Sequence, residues 1–240
     1  MKPIFIDTKI INKSNNSLNA NQFQIIRNSN FLKYKTIQEL VIYYEQSDPD
    51  KIALSLFLQK ILKEYNILSM LSLGCGEAVV EYFIKKEYPL INIAISDFDE
   101  SIINHNRDIY GILFSDYLNH DISKKQIKIP KNEFNLILLN AVIYVLNNNE
   151  AKSLFNNFYT NDIEYVLIVH TAELSIINEI KKALFSILKY KNNPKNTFWG
   201  WARYKREIVS IALSQGYRLI NYSSPTFGSY RRGIYLFQKH

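Results

Sequence analysis

The sequence predicts an α/β protein built on a doubly wound sheet of seven strands, most of them parallel. Residues 67–99 have the pattern strand, glycine turn, helix, strand. Helix and strand patterns then alternate as far as residue 170, as expected for a sheet with helices on both faces. Two strand patterns, at residues 217–222 and 231–238, flank a turn, which predicts an antiparallel C-terminal hairpin.

The unit around Gly74 combines a strand, a tight turn and a helix. Residues 67–73 are apolar, Gly74-Cys75-Gly76 interrupts them, and apolar residues then recur at helical spacing (Val79, Val80, Phe83 and Ile84). Glycine permits a positive φ angle and leaves room for a ligand beside the backbone, and the following helix points its first N–H groups at that ligand. Asp97 ends the next strand, 21 residues after Gly76, where a carboxylate can accept hydrogen bonds from ribose hydroxyls.

Two helices are predicted ahead of the first strand. Residues 36–46 carry apolar side chains on one face, residues 47–50 form a capping turn, and residues 51–65 are apolar on much of their surface. Residues 1–30 are polar and rich in Asn and Ser. We therefore predict that residues 1–66 are an N-terminal arm and helical cover, and that they form one compact unit with the domain of residues 67–240.

The elements behind Asp97 continue the alternation. Periodicity and turn residues predict helices at residues 100–113, 148–159, 174–190 and 199–215, and strands that end near residues 119–121, 139 and 170. In sheets of this kind ligands bind at the carboxyl ends of the strands. The polar residues and glycine predicted at that edge are Gly74, Asp97, Asp121, Asn140 and His170.

Four short motifs in this region resemble those of class I S-adenosylmethionine (SAM)-dependent methyltransferases. The run LSLGCGEA at residues 71–78 is similar to the family's first motif, LDxGCGxG, and Asp97-Phe98, Asp121-Ile122 and residues 134–146 resemble the next three in order. The resemblance implies a Rossmann-like fold, SAM as cofactor and methyl transfer as the activity. It assigns cofactor binding to Gly74, Cys75, Gly76, Asp97, Phe98, Asp121, Ile122 and Asn140.

The chain departs from the family pattern at three positions. Ser72 stands where the family usually has an acid near the methionine end of SAM, Ala78 takes the last small position of the loop, and Asn135 replaces a common Asp. Glu77 or backbone carbonyls are the expected substitutes for the acid. Ser72 also keeps open a non-catalytic methyltransferase-like binding protein.

Other interpretations of the same residues remain open. A nicotinamide-dependent oxidoreductase uses a similar unit, but its fingerprint is G-x-G-x-x-G or G-x-G-x-x-A. In this chain the last position of that fingerprint is occupied by Val79. Asp121 is either an adenine contact or a helix N-cap. Phe98 and Ile122 either sandwich the adenine or belong to the core.

A base would assist methyl transfer to a hydroxyl acceptor, because the oxygen loses its proton during the reaction. His170 ends the fifth strand and is the candidate base, with Tyr144 as a second catalytic candidate; a structural hydrogen-bonding role is the alternative for His170. Four His and one Cys without an acidic cluster at ligand spacing predict no metal site.

The distribution of charged residues along the chain indicates which kind of methyl acceptor the protein would bind. Residues 181–240 contain twelve Lys and Arg against one Glu, whereas residues 67–180 carry an acidic excess. Four residues of the segment 198–206 are candidates for acceptor binding, by stacking or by holding phosphate: Trp199, Trp201, Arg203 and Arg206. We expect an anionic small molecule or glycan precursor, such as a phosphorylated or nucleotide-linked sugar, with nucleic acid second. The alternatives are solvated surface charge and a helix anchored on the core by its Trp residues.

The composition of the chain argues against a membrane-spanning, secreted or disulfide-bonded protein. No apolar run approaches 18 residues and the N-terminal residues lack a signal-peptide pattern, so we expect a cytoplasmic protein without a membrane span. The single cysteine excludes an internal disulfide. The sequence leaves the oligomeric state and the methylated atom open, with oxygen favoured.

Overall fold

The structure is a computed structural model that describes residues 1–7, 32–124, 126–130, 133–171, 173–174, 196–228 and 230–240. For residues 2–7, 173–174, 196–199 and 230 it describes the backbone alone. Residues 175–190 of the helix predicted at 174–190 and most of the polar arm at 1–30 lie outside the described residues, and Leu174 belongs to a short strand.

The described elements follow one another in this order: β1 (Lys2–Asp7), α1 (Ile37–Ser47), α2 (Pro49–Glu64), β2 (Ser69–Leu73), α3 (Val79–Glu87), β3 (Asn92–Asp97), α4 (Glu100–Tyr110), β4 (Asp116–Asn119), β5 (Leu136–Asn140), α5 (Asn148–Thr160), β6 (Tyr165–His170), β7 (Glu173–Leu174), β8 (Asn196–Tyr204), α6 (Lys205–Leu213), β9 (Tyr217–Ser223), β10 (Thr226–Phe227), β11 (Tyr230–Arg231) and β12 (Gly233–Lys239). Short 3₁₀ turns follow α4 and β5.

The main sheet has seven strands in the order β4-β3-β2-β5-β6-β12-β9. The first five strands of that order are parallel, and β12 runs antiparallel to both of its neighbours. The predicted doubly wound sheet and its antiparallel C-terminal hairpin are therefore confirmed. Because the parallel strands end at one edge, the turn after β2 and the ends of β3, β5 and β6 meet there.

Both faces of the sheet are buried, which explains the nearly continuous apolar runs of the central strands. Alternate residues of β2 show the division: Met70 packs in a cluster with α1, α2 and α3, whereas Leu71 and Leu73 pack in a second cluster with α5 and α6. The predicted helices at 36–46, 51–65 and 148–159 are confirmed within a residue or two at each end.

A smaller sheet, β1-β8-β7, corrects the helix predicted at 199–215. The described strand β8 continues to Tyr204, and α6 begins only at Lys205. β8 pairs antiparallel with β1, about 200 residues away along the chain, and parallel with β7. Aromatic residues favour such a strand, but its partner is distant in sequence, so local periodicity could not reveal it.

Candidate active site

The glycine loop between β2 and α3 closes tightly on the end of β3. The N–H groups of Gly74 and Cys75 donate to the Ser96 carbonyl at 2.7 and 2.9 Å. Gly74 and Gly76 take φ angles of +73° and +57°, in the region that glycine enters without strain. Ala78, at the last small position of the motif, also has a positive φ of 51°. This backbone conformation explains why the family pattern prefers glycine there.

Gly74 also brings the loop after β5 against the glycine loop. A Cβ atom at Gly74 would lie 2.6 Å from Val142 Cγ2, closer than real Cβ contacts. The absence of a side chain at Gly74 therefore lets the ends of β2 and β5 approach each other. This places Asn140, at the end of β5, beside the glycine loop.

Asp97 lies at the glycine loop, as the sequence predicted, and is fully buried. Its Oδ2 accepts from the Gly76 N–H at 3.1 Å, and its Oδ1 accepts from the Asp99 N–H at 3.2 Å. Asp99 in turn caps α4, because its Oδ1 accepts from the Ser101 N–H at 2.9 Å. The Asp97 carboxylate thus ties the loop to β3. Its proposed contact with a ribose remains a prediction.

Two residues of α4 that the sequence analysis missed satisfy the carbonyls of the loop. Asn106 donates from Nδ2 to the Gly76 carbonyl at 2.7 Å, and the Tyr110 hydroxyl donates to the Glu77 carbonyl at 2.6 Å. Both side chains are buried. Their spacing of four residues on one helix face was the available sequence signal.

A carboxylate from α3 lies at the position where the family motif has its acid. The Ser72 hydroxyl donates to Glu81 Oε1 at 2.6 Å, and both residues are at most 1% exposed. Burial raises the pKa of Glu81, although the bond from Ser72 opposes the shift. Glu81, and not the expected Glu77, is therefore the carboxylate that contacts Ser72.

Glu77 instead bonds to the helical cover. Its Oε2 accepts from the Tyr44 hydroxyl and lies 3.7 Å from Lys51 Nζ, which also donates to the Tyr44 hydroxyl at 2.8 Å. Burial raises the pKa of Glu77 and lowers the pKa of Lys51. This network joins α1 and α2 to the glycine loop.

The predicted adenine side is formed by the turns after β3 and β4. Phe98 is half-buried, and its carbonyl accepts from Asn119 Nδ2 at 3.0 Å. Asp121 Oδ1 accepts from the N–H and the hydroxyl of Ser123 at 3.0 and 2.6 Å. These bonds close a local turn, and no helix begins at the described residues that follow, so Asp121 is not the helix N-cap of the alternative interpretation. Ile122 is buried in the core cluster with α5.

The catalytic candidates lie around the ends of β5 and β6. His170 is fully buried and opposite Gly233 of β12. Tyr144 is half-buried and packs closely over Gly200 of β8. Among the described residues, the buried Asn140 Oδ1 has no hydrogen-bond partner. Their catalytic and binding roles remain predictions.

The acceptor candidates do not form one basic surface. Arg203 is fully buried, and its guanidinium donates to the Ile143 carbonyl at 3.0 Å, to the Leu146 carbonyl and to Asn148 Oδ1 at 3.2 Å. This corrects its predicted place in an acceptor pocket, because its donors are used within the chain.

Two of the other acceptor candidates, Arg206 and Trp201, differ in exposure. Arg206 is exposed in the first turn of α6, and Trp201 is half-buried opposite Pro3 of β1. The Trp199 side chain lies outside the described residues.

A surface cavity of about 610 Å³, lined mainly by polar side chains of α5 with Gln126 and Gln215, contains none of the predicted site residues.

Solved methyltransferase structures are similar to this fold. The magnesium protoporphyrin IX methyltransferase ChlM from Synechocystis PCC 6803, solved with bound S-adenosylhomocysteine (SAH), has a TM-score of 0.61 and 10% identity over 95% of this chain and 90% of that chain. The mitomycin 7-O-methyltransferase MmcR has a TM-score of 0.55 and 13% identity over 73% of this chain and 50% of its own. Human N-acetylserotonin methyltransferase in complex with SAM has a TM-score of 0.51 and 15% identity over 82% and 57%.

These similarities define the fold as the Rossmann-like fold of class I SAM-dependent methyltransferases, in agreement with the sequence motifs. The chain spans only about half the length of MmcR and of the human enzyme. No family model and no curated protein sequence matches the chain. Within the described part of the chain, no helix is both long and apolar enough to cross a membrane.

Proposed function

We propose that this protein is a SAM-dependent methyltransferase that transfers the methyl group to an oxygen of a small-molecule acceptor. The observation that carries the proposal is the glycine loop closed on Asp97 at the carboxyl edge of the seven-stranded sheet. This loop combines two glycines, which leave the backbone accessible to a ligand, with the N-terminus of α3 and a carboxylate at the end of β3.

The residues present fit this cofactor. Asp97 ends β3 beside the glycine loop, where a carboxylate can accept hydrogen bonds from ribose hydroxyls. The buried carboxylates of Glu77 and Glu81 beside the loop favour a ligand that carries positive charge, as SAM does at its sulfonium and ammonium groups.

The sheet favours a methyltransferase over a nicotinamide enzyme. The dinucleotide-binding sheet has six parallel strands in the order 3-2-1-4-5-6. Here an antiparallel strand, β12, is inserted between β6 and β9. Val79 is buried at the start of α3, where the dinucleotide fingerprint has a small residue.

Bound SAM supplies an electrophilic methyl group, and the chain must position the acceptor oxygen in line with it and exclude water. The acceptor hydroxyl loses its proton as the new bond forms. His170 and Tyr144 are the candidates to receive that proton, since they lie near the ends of β6 and β5.

We further propose that the acceptor is anionic, of the phosphorylated or nucleotide-linked sugar type. The support is that Lys and Arg greatly outnumber acidic residues within residues 181–240. Two of these basic residues, Arg206 and Arg231, are exposed. Arg203 takes no part, because its donors are used inside the fold. A nucleic acid is the second candidate for the same charge.

Thermal-shift measurements with SAM, SAH and NAD test the cofactor. We expect SAM and SAH to raise the melting temperature and NAD to leave it unchanged, because a ligand stabilises the state it binds. Stabilisation by NAD alone would reverse the assignment. Binding of SAH without turnover of any acceptor would favour the non-catalytic alternative.

Salt dependence separates the two classes of acceptor. We expect methyl transfer to a sugar nucleotide to fall gently between low and moderate salt, whereas RNA contacted at several phosphates loses affinity steeply through counterion release. Arg206→Ala should raise the KM for the anionic acceptor. Lys152→Ala, on the exposed face of α5, is the matched control. If Arg206→Ala and Lys152→Ala have the same KM for the anionic acceptor, Arg206 does not bind the acceptor.

A further inference from the structure

The methionine end of the proposed cofactor site has an unusual source of negative charge. The strand position that carries an acid in the resembling family is Ser72 here, yet a carboxylate is present. Glu81 reaches it from the first turn of α3, and its Oε1 accepts from the Ser72 hydroxyl at 2.6 Å. The helix, and not the strand, therefore supplies the carboxylate here, and the Ser72 hydroxyl holds it at the end of β2.

The charge of Glu81 is poorly compensated within the described residues. Burial raises the pKa of Glu81, and the attraction of Lys51 opposes that rise only in part. Lys51 also pairs with Glu77 at 3.7 Å and donates to Tyr44. Two buried carboxylates thus share this lysine, and burial still raises the pKa of both. A buried carboxylate without a full partner costs folding free energy, and a bound cation would offset that cost.

Asn140 supplies a second acceptor on the same side of the sheet. Leu138 of β5 pairs with Ser72, so Asn140, two residues further along, projects to the same face. Its buried Oδ1 accepts no hydrogen bond from any residue that the structure describes. A carboxylate and a free amide oxygen at one strand edge suit a ligand group that donates several hydrogen bonds, as an ammonium does.

We propose that Glu81, held by Ser72, is the counter-charge for the ammonium group at the methionine end of SAM. This inference rests on the proposed function. It makes Glu81 a residue that selects ligands with the amino-acid end over ligands that lack it. The adenosine part of the ligand is held elsewhere, at the Asp97 side of the glycine loop.

Calorimetric titration of the full chain with SAH and with 5′-methylthioadenosine tests this selection. 5′-Methylthioadenosine keeps the adenosine and the sulfur but lacks the amino-acid end. We expect Glu81→Gln to weaken SAH binding about tenfold, which is the scale of one charge-assisted hydrogen bond, and to leave 5′-methylthioadenosine within about twofold. The double variant Ser72→Asp/Glu81→Gln returns the acid to the strand and should recover most of the SAH affinity.

The outcomes separate the two proposals. If the wild-type chain binds neither ligand, the proposed function fails. If the wild-type chain binds SAH but Glu81→Gln binds both ligands as tightly, or loses affinity for both equally, the proposed function stands and Glu81 is not the counter-charge. Ser72→Ala is a second, independent test, because it keeps the Glu81 carboxylate and only releases it from the strand. It should weaken SAH binding selectively, and an unchanged ratio of the two affinities would overturn the inference.

Discussion

Replacement of Arg203 by methionine would test whether this residue stabilises the fold or binds the acceptor. The guanidinium is fully buried and donates to the carbonyls of Ile143 and Leu146 and to Asn148 Oδ1. Methionine fills a similar volume but donates no hydrogen bond. The variant Arg203→Met therefore leaves two backbone carbonyls of the loop after β5 without their donor.

The expected loss of stability follows from these contacts. Each buried acceptor left without a partner costs about 1–3 kcal/mol, so two carbonyls give roughly 2–6 kcal/mol. The methionine recovers part of this, because a buried guanidinium itself carries a desolvation penalty. We therefore expect a net loss of about 3 kcal/mol, and a fall in melting temperature of roughly 6–12 °C for a chain of this size.

Chemical denaturation and thermal melting of Arg203→Met, with Arg206→Met as the matched control, provide the assay. Arg206 is exposed and should change stability by less than about 0.5 kcal/mol. If Arg203→Met melts like the wild-type chain and only its KM for an anionic acceptor rises, Arg203 is an acceptor-binding residue. The assignment of Arg203 to the stability of the fold would then be wrong.

Three further predictions concern the glycine loop. Gly74→Ala should lose about 2–4 kcal/mol in denaturant titrations, because φ is +73° and the new Cβ meets Val142; stability equal to wild type would contradict the close approach. Tyr44→Phe removes the hydroxyl that donates to Glu77 and should lower the free energy of unfolding by about 2 kcal/mol, measured as a lower melting temperature. An unchanged melting temperature would show that this hydrogen bond does not stabilise the fold. Glu81→Gln should melt above the wild-type chain at neutral pH, since the folded-state pKa of Glu81 is raised and its stabilising effect is lost as the pH rises through that value. That advantage should shrink as the pH falls towards the ordinary glutamate pKa of about 4.5, and a gap independent of pH would contradict it.

The parts of the fold that sequence predicted are those that local physics determines. The apolar runs, the helical periodicity and the glycine turn at Gly74 act over a few residues, and they led to the seven-stranded sheet and its C-terminal hairpin. The motif order likewise placed Asp97 against the glycine loop. These features follow from backbone conformation and side-chain alternation, which neighbouring residues decide.

Contacts between distant residues decided the rest. The segment before α6 is a strand because β1 pairs with it, and Arg203 faces inward because the carbonyls after β5 lie beside it. Ser72 and Glu81 meet because α3 packs back on β2. The sequence alone determined the sheet and the loop where a cofactor would bind, whereas the tertiary structure decided which charged side chains reach that loop and which are buried to hold the fold together. Hydrogen bonding and burial depend on the partners that packing brings together, and no local pattern records them.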